Sequence, residues 1–208
     1  MNGTGHAAIG AATGFIAANV FQATPSMTLF FIGLGTVSAL LPDLDIDGKL
    51  RGRITLSSQM IKAVAQLIGV LIIVYSLYEG ADTNQYIGIG IGLAMIVLTS
   101  FIKQKHMLMI TGIGVLAGGS SLQELWLILF GIYIILASFV AHRSYTHSIV
   151  GIVFFGFIAF ELEKSFGMDG VFYTCLFAYI SHLAADSRFL PFNKRGVKLF
   201  LPISSREF

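Results

Sequence analysis

The chain has 208 residues, of which 55% are hydrophobic and only 12% are charged, and its formal net charge is +2. A soluble domain is close to one quarter charged, and one of this size could not hide so much apolar surface, so a soluble enzyme, a disordered chain and a disulfide scaffold are excluded. The basic residues form no concentrated run, which argues against a nucleic-acid partner. A single cysteine, Cys175, excludes an internal disulfide and a multi-cysteine zinc site. The composition predicts a polytopic membrane protein.

Eight apolar runs follow one another along the chain, and we expect each to form a transmembrane or re-entrant helix. The runs are 7–23, 27–41, 60–78, 86–102, 107–120, 124–141, 148–160 and 168–185. The fifth and seventh runs are short for a full crossing of the bilayer. No repeat or domain linker interrupts them, and the longest polar stretch, 42–59, reads as one loop. We therefore predict an all-α membrane helical bundle that forms a single domain over residues 1–208.

The positions of the basic residues predict an orientation for this bundle. Eight crossings place both termini on the same side of the membrane, and every Lys and Arg except Lys164 falls on that side. The residues concerned are Lys49, Arg51, Arg53, Lys62, Lys103, Lys105, Arg143, Arg188, Lys194, Arg195, Lys198 and Arg206. Since basic residues accumulate in cytoplasmic loops, we expect both termini to be cytoplasmic.

Four groups of side chains that can bind a metal ion are predicted at nearly the same depth in the membrane, on this cytoplasmic side. They are His6; Asp43 with Asp45; His142 with His147; and His182 with Asp186. Neutral imidazoles with carboxylates are the ligands expected for zinc, and also for manganese or iron. Seven such ligands exceed what one tetrahedral ion needs, so we predict two divalent ions, zinc in the first place, bridged by an aspartate.

Two of these groups have a clear local geometry. His182 and Asp186 are four residues apart, so on a helix they share one face. Pro42 disfavours helix at the residue before it, so the chain should turn there. The turn should present Asp43 and Asp45 on the same side of an extended segment at the membrane boundary.

The spacing of the third group predicts a break in the helix between its two histidines. His142 and His147 are five residues apart, about 140° around a helix, and would not converge on a straight one. We therefore expect a break between them, with Ser144 or Thr146 capping the helix that follows.

Each group also has a structural interpretation, as an interfacial histidine, a solvated loop acid or a hydrogen bond between helices. Ionisable groups in or beside membrane helices are costly, however, and usually functional. His106 lies between basic residues without an acid nearby, and we interpret it as a solvated interfacial residue. Asp47 could equally be a ligand or a loop acid, so it stays outside the predicted set.

Four motifs in this order resemble those of a known family. They are the segments His6 to Gly10, Leu41 to Asp45, His142 to Ser148 and Ser181 to Asp186, with a weaker match from Gly196 to Pro202. The sequence resembles the inner-membrane, metal-dependent hydrolases of the YdjM type, which are distantly similar to zinc-dependent phospholipase C enzymes. The resemblance implies a location in the bacterial inner membrane and hydrolysis of a phosphoester. Residues 60–135 match only in hydrophobicity.

The chain departs from the family pattern at two places. Ile46 and Asp47 follow the acidic motif, where a histidine or another acid is frequent in the family. Asp186 is followed by Ser187, Arg188 and Phe189, where threonine and proline are common. The resemblance therefore implies no role for Asp47 or for the residues directly after Asp186.

The residues and the resemblance together predict a cytoplasm-facing dinuclear hydrolase that acts on a lipid or another membrane-associated phosphoester. Asp43 and Asp45 are the expected catalytic carboxylates. Arg143 is expected to grip the phosphate by a bidentate fork, although a contact with anionic lipid would explain it as well. The predicted partners are membrane lipids and the phosphoester substrate.

The segment that follows Asp186 mixes basic and aromatic residues, as the boundary between lipid headgroups and acyl chains requires. We expect Arg188, Lys194 and Arg195 to draw an anionic headgroup from the inner leaflet towards the metal ions. The alternative is a C-terminal anchor without a catalytic part.

Three other classes of protein are compatible with parts of the pattern. A divalent-cation transporter could use the same ligands, but transport sites usually lie near the bilayer midplane. His142 and His147 are similar to a histidine box of membrane di-iron oxidases, but those enzymes need more than the five histidines present. A purely structural membrane protein would leave the shared depth of the ligands unexplained.

Overall fold

The computed structural model describes residues 2–44, 57–79, 82–141, 144–188 and 196–208. In these residues the secondary structure is helical, without strands, which confirms the all-α class. The α-helices are α1 (Gly3–Val20), α2 (Pro25–Ser38), α3 (Ser58–Glu79), α4 (Asp82–Ser100), α5 (Gln104–Leu122), α6 (Leu125–Ala137), α7 (Ile149–Phe166) and α8 (Val171–Asp186). Two 3₁₀ turns, Leu41–Leu44 and Tyr145–His147, complete the described elements.

The surface of the described residues carries many apolar side chains. Val20, Leu29 and Tyr78, for example, are 69%, 72% and 84% exposed. By length and composition, two helices could cross a bilayer, Ser58–Glu79 and the segment Thr83–Ser100. The other described helices do not meet that criterion, so the eight crossings remain a prediction. The apolar surface is consistent with insertion into a membrane.

The chain divides into two compact units, one of residues 1–51 and 108–208 and the other of residues 52–107. In the second unit, α3 and α4 pack as a close helix pair. A Cβ added to Gly69 would meet the carbonyl of Gly92, and one added to Gly92 would meet the carbonyl of Gly69. Small residues at such positions let two helix backbones approach, as is common between membrane helices.

In the larger unit, α1 and α2 form a similar close pair. Thr24 caps α2 by accepting a hydrogen bond from the amide of Met27, and Pro25 occupies the first turn, as both residues prefer. Gly10 and Gly35 face each other so closely that a Cβ on either would overlap the backbone of the other. Gly14 lies equally close to the backbone of α2. This contact fixes the register between the two helices.

Helix α8 runs antiparallel to α1 and begins from a tight connection to α7. Gly167 ends α7 with a φ of 60°, a left-handed conformation that glycine adopts without strain. The Glu163 carboxylate accepts hydrogen bonds from the amides of Gly170 and Phe172, at 3.0 and 2.9 Å, and so caps the start of α8. The ring of Phe21, just after α1, lies against Gly170. The end of α1 therefore meets the start of α8.

Two local expectations for the ligand segments need correction. The helix after the break, α7, is capped by Ser148, whose Oγ accepts from the Gly151 amide; Ser144 and Thr146 do not cap it. Ser148 alone has the extended backbone that a cap requires, because Thr146 lies within the 3₁₀ turn. Asp43 also lies in a 3₁₀ turn and not in an extended segment.

The packing of α1 on α2 makes Gly35→Ala a test of their contact. The added methyl group would overlap the backbone of Gly10, so we expect a loss of about 1–3 kcal/mol in stability and a lower Tm. The matched control is Gly33→Ala on the same helix, where a Cβ meets nothing within 4 Å and alanine favours helix by up to about 1 kcal/mol. Thermal unfolding in detergent measures both, and equal Tm values would contradict this packing.

Candidate metal centre

Four of the predicted ligands come together in the larger unit, from three different elements. Asp43 lies in the first 3₁₀ turn, His147 ends the second, and His182 and Asp186 lie in the last turns of α8. Each offers one nitrogen or oxygen atom to a group in which all these atoms lie within 4.8 Å of one another. The predicted i, i+4 pair does share one face of its helix, with His182 Nε2 3.8 Å from Asp186 Oδ2.

Three of the separations within this cluster are close to those around a tetrahedral ion. The Nε2 atoms of His147 and His182 are 3.1 Å apart, and each lies 3.6 Å from Asp43 Oδ1. Ligands held about 2.0–2.1 Å from a tetrahedral zinc ion are about 3.3 Å from one another. The donor set and its spacing could therefore hold a metal ion.

A backbone hydrogen bond sets the tautomer of a neutral His182 ring. Its Nδ1 donates to the carbonyl of Ala39, at 2.7 Å, so Nε2 of the neutral ring carries a lone pair. That lone pair faces His147 Nε2 and carboxylate oxygens of Asp43 and Asp186. A proton on His147 Nε2 could be donated either to the His182 lone pair or to Asp43 Oδ1. A metal ion could instead bind all of these donor atoms at once.

Solvent can reach the cluster from one direction. The side chains of His147 and His182 are 0% exposed and that of Asp186 is 3% exposed, whereas Asp43 is 19% exposed. Within the four-residue group, Asp43 is thus the residue that water or a substrate can approach.

His6 lies beside this group, as the start of α1 packs on the end of α8. Its ring stacks on that of His182 with centroids 3.8 Å apart. Its Nε2 is 3.2 Å from Asp186 Oδ1, yet neither ring nitrogen makes a hydrogen bond although the side chain is 1% exposed. A buried imidazole without hydrogen bonds is unusual, and in its neutral form one of its two nitrogens carries a lone pair that could bind a ligand.

The structure adds residues that the sequence interpretation missed. The hydroxyl of Tyr179 donates to the carbonyl of Thr146, next to His147, and lies 3.1 Å from the hydroxyl of Tyr133. The Thr146 hydroxyl contacts His147 Nδ1 at 3.1 Å. One signal was available, since Tyr179 precedes His182 by three residues and so shares its helix face.

Other predicted site residues cannot be placed against this geometry. Asp45, His142 and Arg143 lie outside the described residues, as do Lys194 and Arg195. Arg188 is described, and its guanidinium contacts Glu207 at 3.2 Å while 54% of its side chain remains exposed.

The family described as YdjM inner membrane protein matches the chain over residues 1–208. No curated protein and no solved structure matches it. The match covers the four residues of the cluster and also His6 beside it.

Removing a ligand should remove metal. We expect His147→Ala and His182→Gln to lower the metal content of the purified protein by about 10-fold or more, as the ion loses one of its ligands. His106→Ala is the matched control, because His106 accepts a hydrogen bond from the Lys103 amide outside the cluster. Elemental analysis measures the content, and circular dichroism checks folding. Wild-type metal content in both ligand variants would contradict the site.

Proposed function

The chain belongs to the YdjM inner membrane protein family, and on that basis we propose that it is a membrane-embedded, metal-dependent hydrolase of a lipid phosphoester or another membrane-associated phosphoester. The observation that carries the proposal is the convergence of two imidazoles and two carboxylates, with a lone pair of His182 aimed among them. Such donor sets hold catalytic zinc when one position stays open to water.

A bound divalent ion would polarise the phosphoryl oxygen and acidify a water molecule. His147, His182 and Asp186 would hold it from the buried side. Asp43 borders the solvent-accessible side, where its second oxygen can take the proton of the attacking water. In this proposal Asp45 supplies a further catalytic carboxylate. Arg143 binds the phosphate of the substrate.

We propose two ions, because Asp186 has an imidazole on each side. Its Oδ2 faces His182 and its Oδ1 faces His6, so Asp186 would help to hold both ions. His6 supplies an unused, buried nitrogen for the second position. His142 would be a further ligand. In two-metal sites the second ion stabilises the leaving oxygen.

We place the site at the cytoplasmic face of the bacterial inner membrane, with both termini on that side, from the distribution of basic residues. Membrane lipids are then the nearest source of phosphoesters. Arg188, together with Lys194 and Arg195, would attract an anionic headgroup from the inner leaflet.

A divalent-cation transporter is the alternative. The cluster is built from turns and helix ends at one end of its unit, whereas transport sites usually lie at the midplane beside unwound helices. Uptake of zinc or manganese into proteoliposomes, without hydrolysis, would favour transport.

Hydrolysis should depend on metal and on Asp43. We expect phosphate release from phosphatidic acid, an isoprenoid phosphate or a soluble phosphoester to stop on chelation and return with added zinc or manganese. At saturating metal, Asp43→Asn should lower kcat by about 100-fold or more. Asp169→Asn is the matched control, because Asp169 is exposed in the connection between α7 and α8, far from the cluster. Metal-bound protein that hydrolyses none of the three substrates would refute the proposal.

The number of metal ions bound per chain tests whether a second ion is present. Since His6 contacts Asp186 Oδ1 but lies outside the four-residue group, His6→Ala should lower the metal content from two ions per chain to one. The Tm values of the wild-type protein and of His6→Ala should also be compared in the presence of a chelator. A difference that persists without metal reports lost packing of the His6 ring and not lost metal. One ion per wild-type chain would contradict the dinuclear centre.

A further inference from the structure

An apolar groove lies between α1 and α8, in the same unit as the metal cluster. It encloses about 420 Å³, within the range of about 300–1,000 Å³ that is typical of small-molecule sites. Its walls are mainly Ile16, Ala17, Val20, Phe21, Tyr173 and Phe177. Thr13 also borders it, but its hydroxyl donates to the Ile9 carbonyl, so it offers the groove little polarity.

The walls of the groove are held by aromatic contacts. The rings of Phe21 and Tyr173 stack with centroids 6.0 Å apart, and those of Tyr173 and Phe177 with centroids 6.3 Å apart. Phe21 and Phe177 are nevertheless 37% and 55% exposed. The groove is therefore shaped by the protein and still open along one side.

The groove and the metal cluster are arranged along the same two helices. His6 precedes Thr13 by seven residues on α1, and Phe177 precedes His182 by five on α8. At 1.5 Å per residue, the groove begins about 8–10 Å from the ligands and continues away from them. The polar ligands at one end would suit the phosphate of a lipid, and the apolar groove at the other end would suit its hydrocarbon chain.

We infer that this groove binds a hydrocarbon chain of the lipid whose phosphate is cleaved at the metal cluster. The inference rests on the proposed function and narrows its substrate class to phosphoesters with a long acyl or isoprenoid chain. The chain would enter through the open side of the groove, from the surrounding bilayer. Holding it there would position the phosphate at the ligands, which is how remote binding energy assists a reaction.

Photolabelling can detect the chain independently of catalysis. The protein in phosphatidylcholine nanodiscs is given a small fraction of phosphatidic acid with a diazirine in the middle of one acyl chain. We expect labels on residues 13–21 and 173–177, displaced by unlabelled phosphatidic acid but not by diacylglycerol, which has no phosphate for the cluster. Equal displacement by both lipids, or equal labelling of α3 and α4, would show bulk lipid contact only and overturn the inference.

A bulky residue in the groove should compete with the chain. Ala17→Phe fills the space between the helices, whereas Ala12→Phe adds the same ring at an exposed position on α1 outside the groove. At equal metal content, Ala17→Phe should lower the rate on long-chain phosphatidic acid, relative to a soluble phosphoester, by about 10-fold. It should also reduce the specific label, while Ala12→Phe changes neither.

The two assays separate failure of the inference from failure of the proposed function. If phosphatidic acid displaced the photolabel but no phosphate were released, the lipid-binding groove would be retained and the proposed hydrolase activity would be refuted. Metal-dependent release at rates independent of chain length, without displaceable labelling, would retain the hydrolase and overturn the inference.

Discussion

The hydrogen bond from His182 Nδ1 to the Ala39 carbonyl organises the metal centre. Ala39 is the C-cap residue that follows α2, and the carbonyls at the end of a helix have no partner within it. The imidazole of α8 satisfies one of them and in return has its tautomer fixed. The same bond ties the end of α8 to the end of α2, next to the turn that carries Asp43. One contact thus sets the tautomer, orientation and neighbours of a candidate ligand.

Close helix packing makes this contact possible. Gly10 and Gly35 allow α1 and α2 to approach backbone to backbone, and α8 runs antiparallel to α1. The start of α1 and the ends of α2 and α8 consequently meet at one end of the unit. The carboxylate of Asp186 is buried there beside His6 and His182, where a charge is tolerated because it has nearby partners of the right chemistry.

The α1–α8 pair carries both a polar and an apolar environment, as the headgroup and the hydrocarbon chain of a lipid phosphate would need. Ligands with a single exposed carboxylate, that of Asp43, lie at one end of the α1–α8 pair, and an apolar groove follows along the same pair. In the proposed function the first provides the chemistry and the second provides recognition. In this proposal neither requires a soluble active-site cleft, because both the substrate and the apolar surface of the protein would lie in the bilayer.

The sequence by itself determined the helical class, the eight helical segments and the shared face of His182 and Asp186. These depend on local properties, namely apolar run length and spacing along one helix. It also singled out His6, Asp43 and His147 by their predicted depth in the membrane, but did not identify them as neighbours. Only the tertiary structure decided which of their atoms meet, that His6 lies beside Asp186, and that the Ala39 carbonyl orients the centre. Such contacts depend on helix register and turn geometry between segments distant in the chain, and a carbonyl is present at every position, so no side-chain pattern reveals which one accepts the bond.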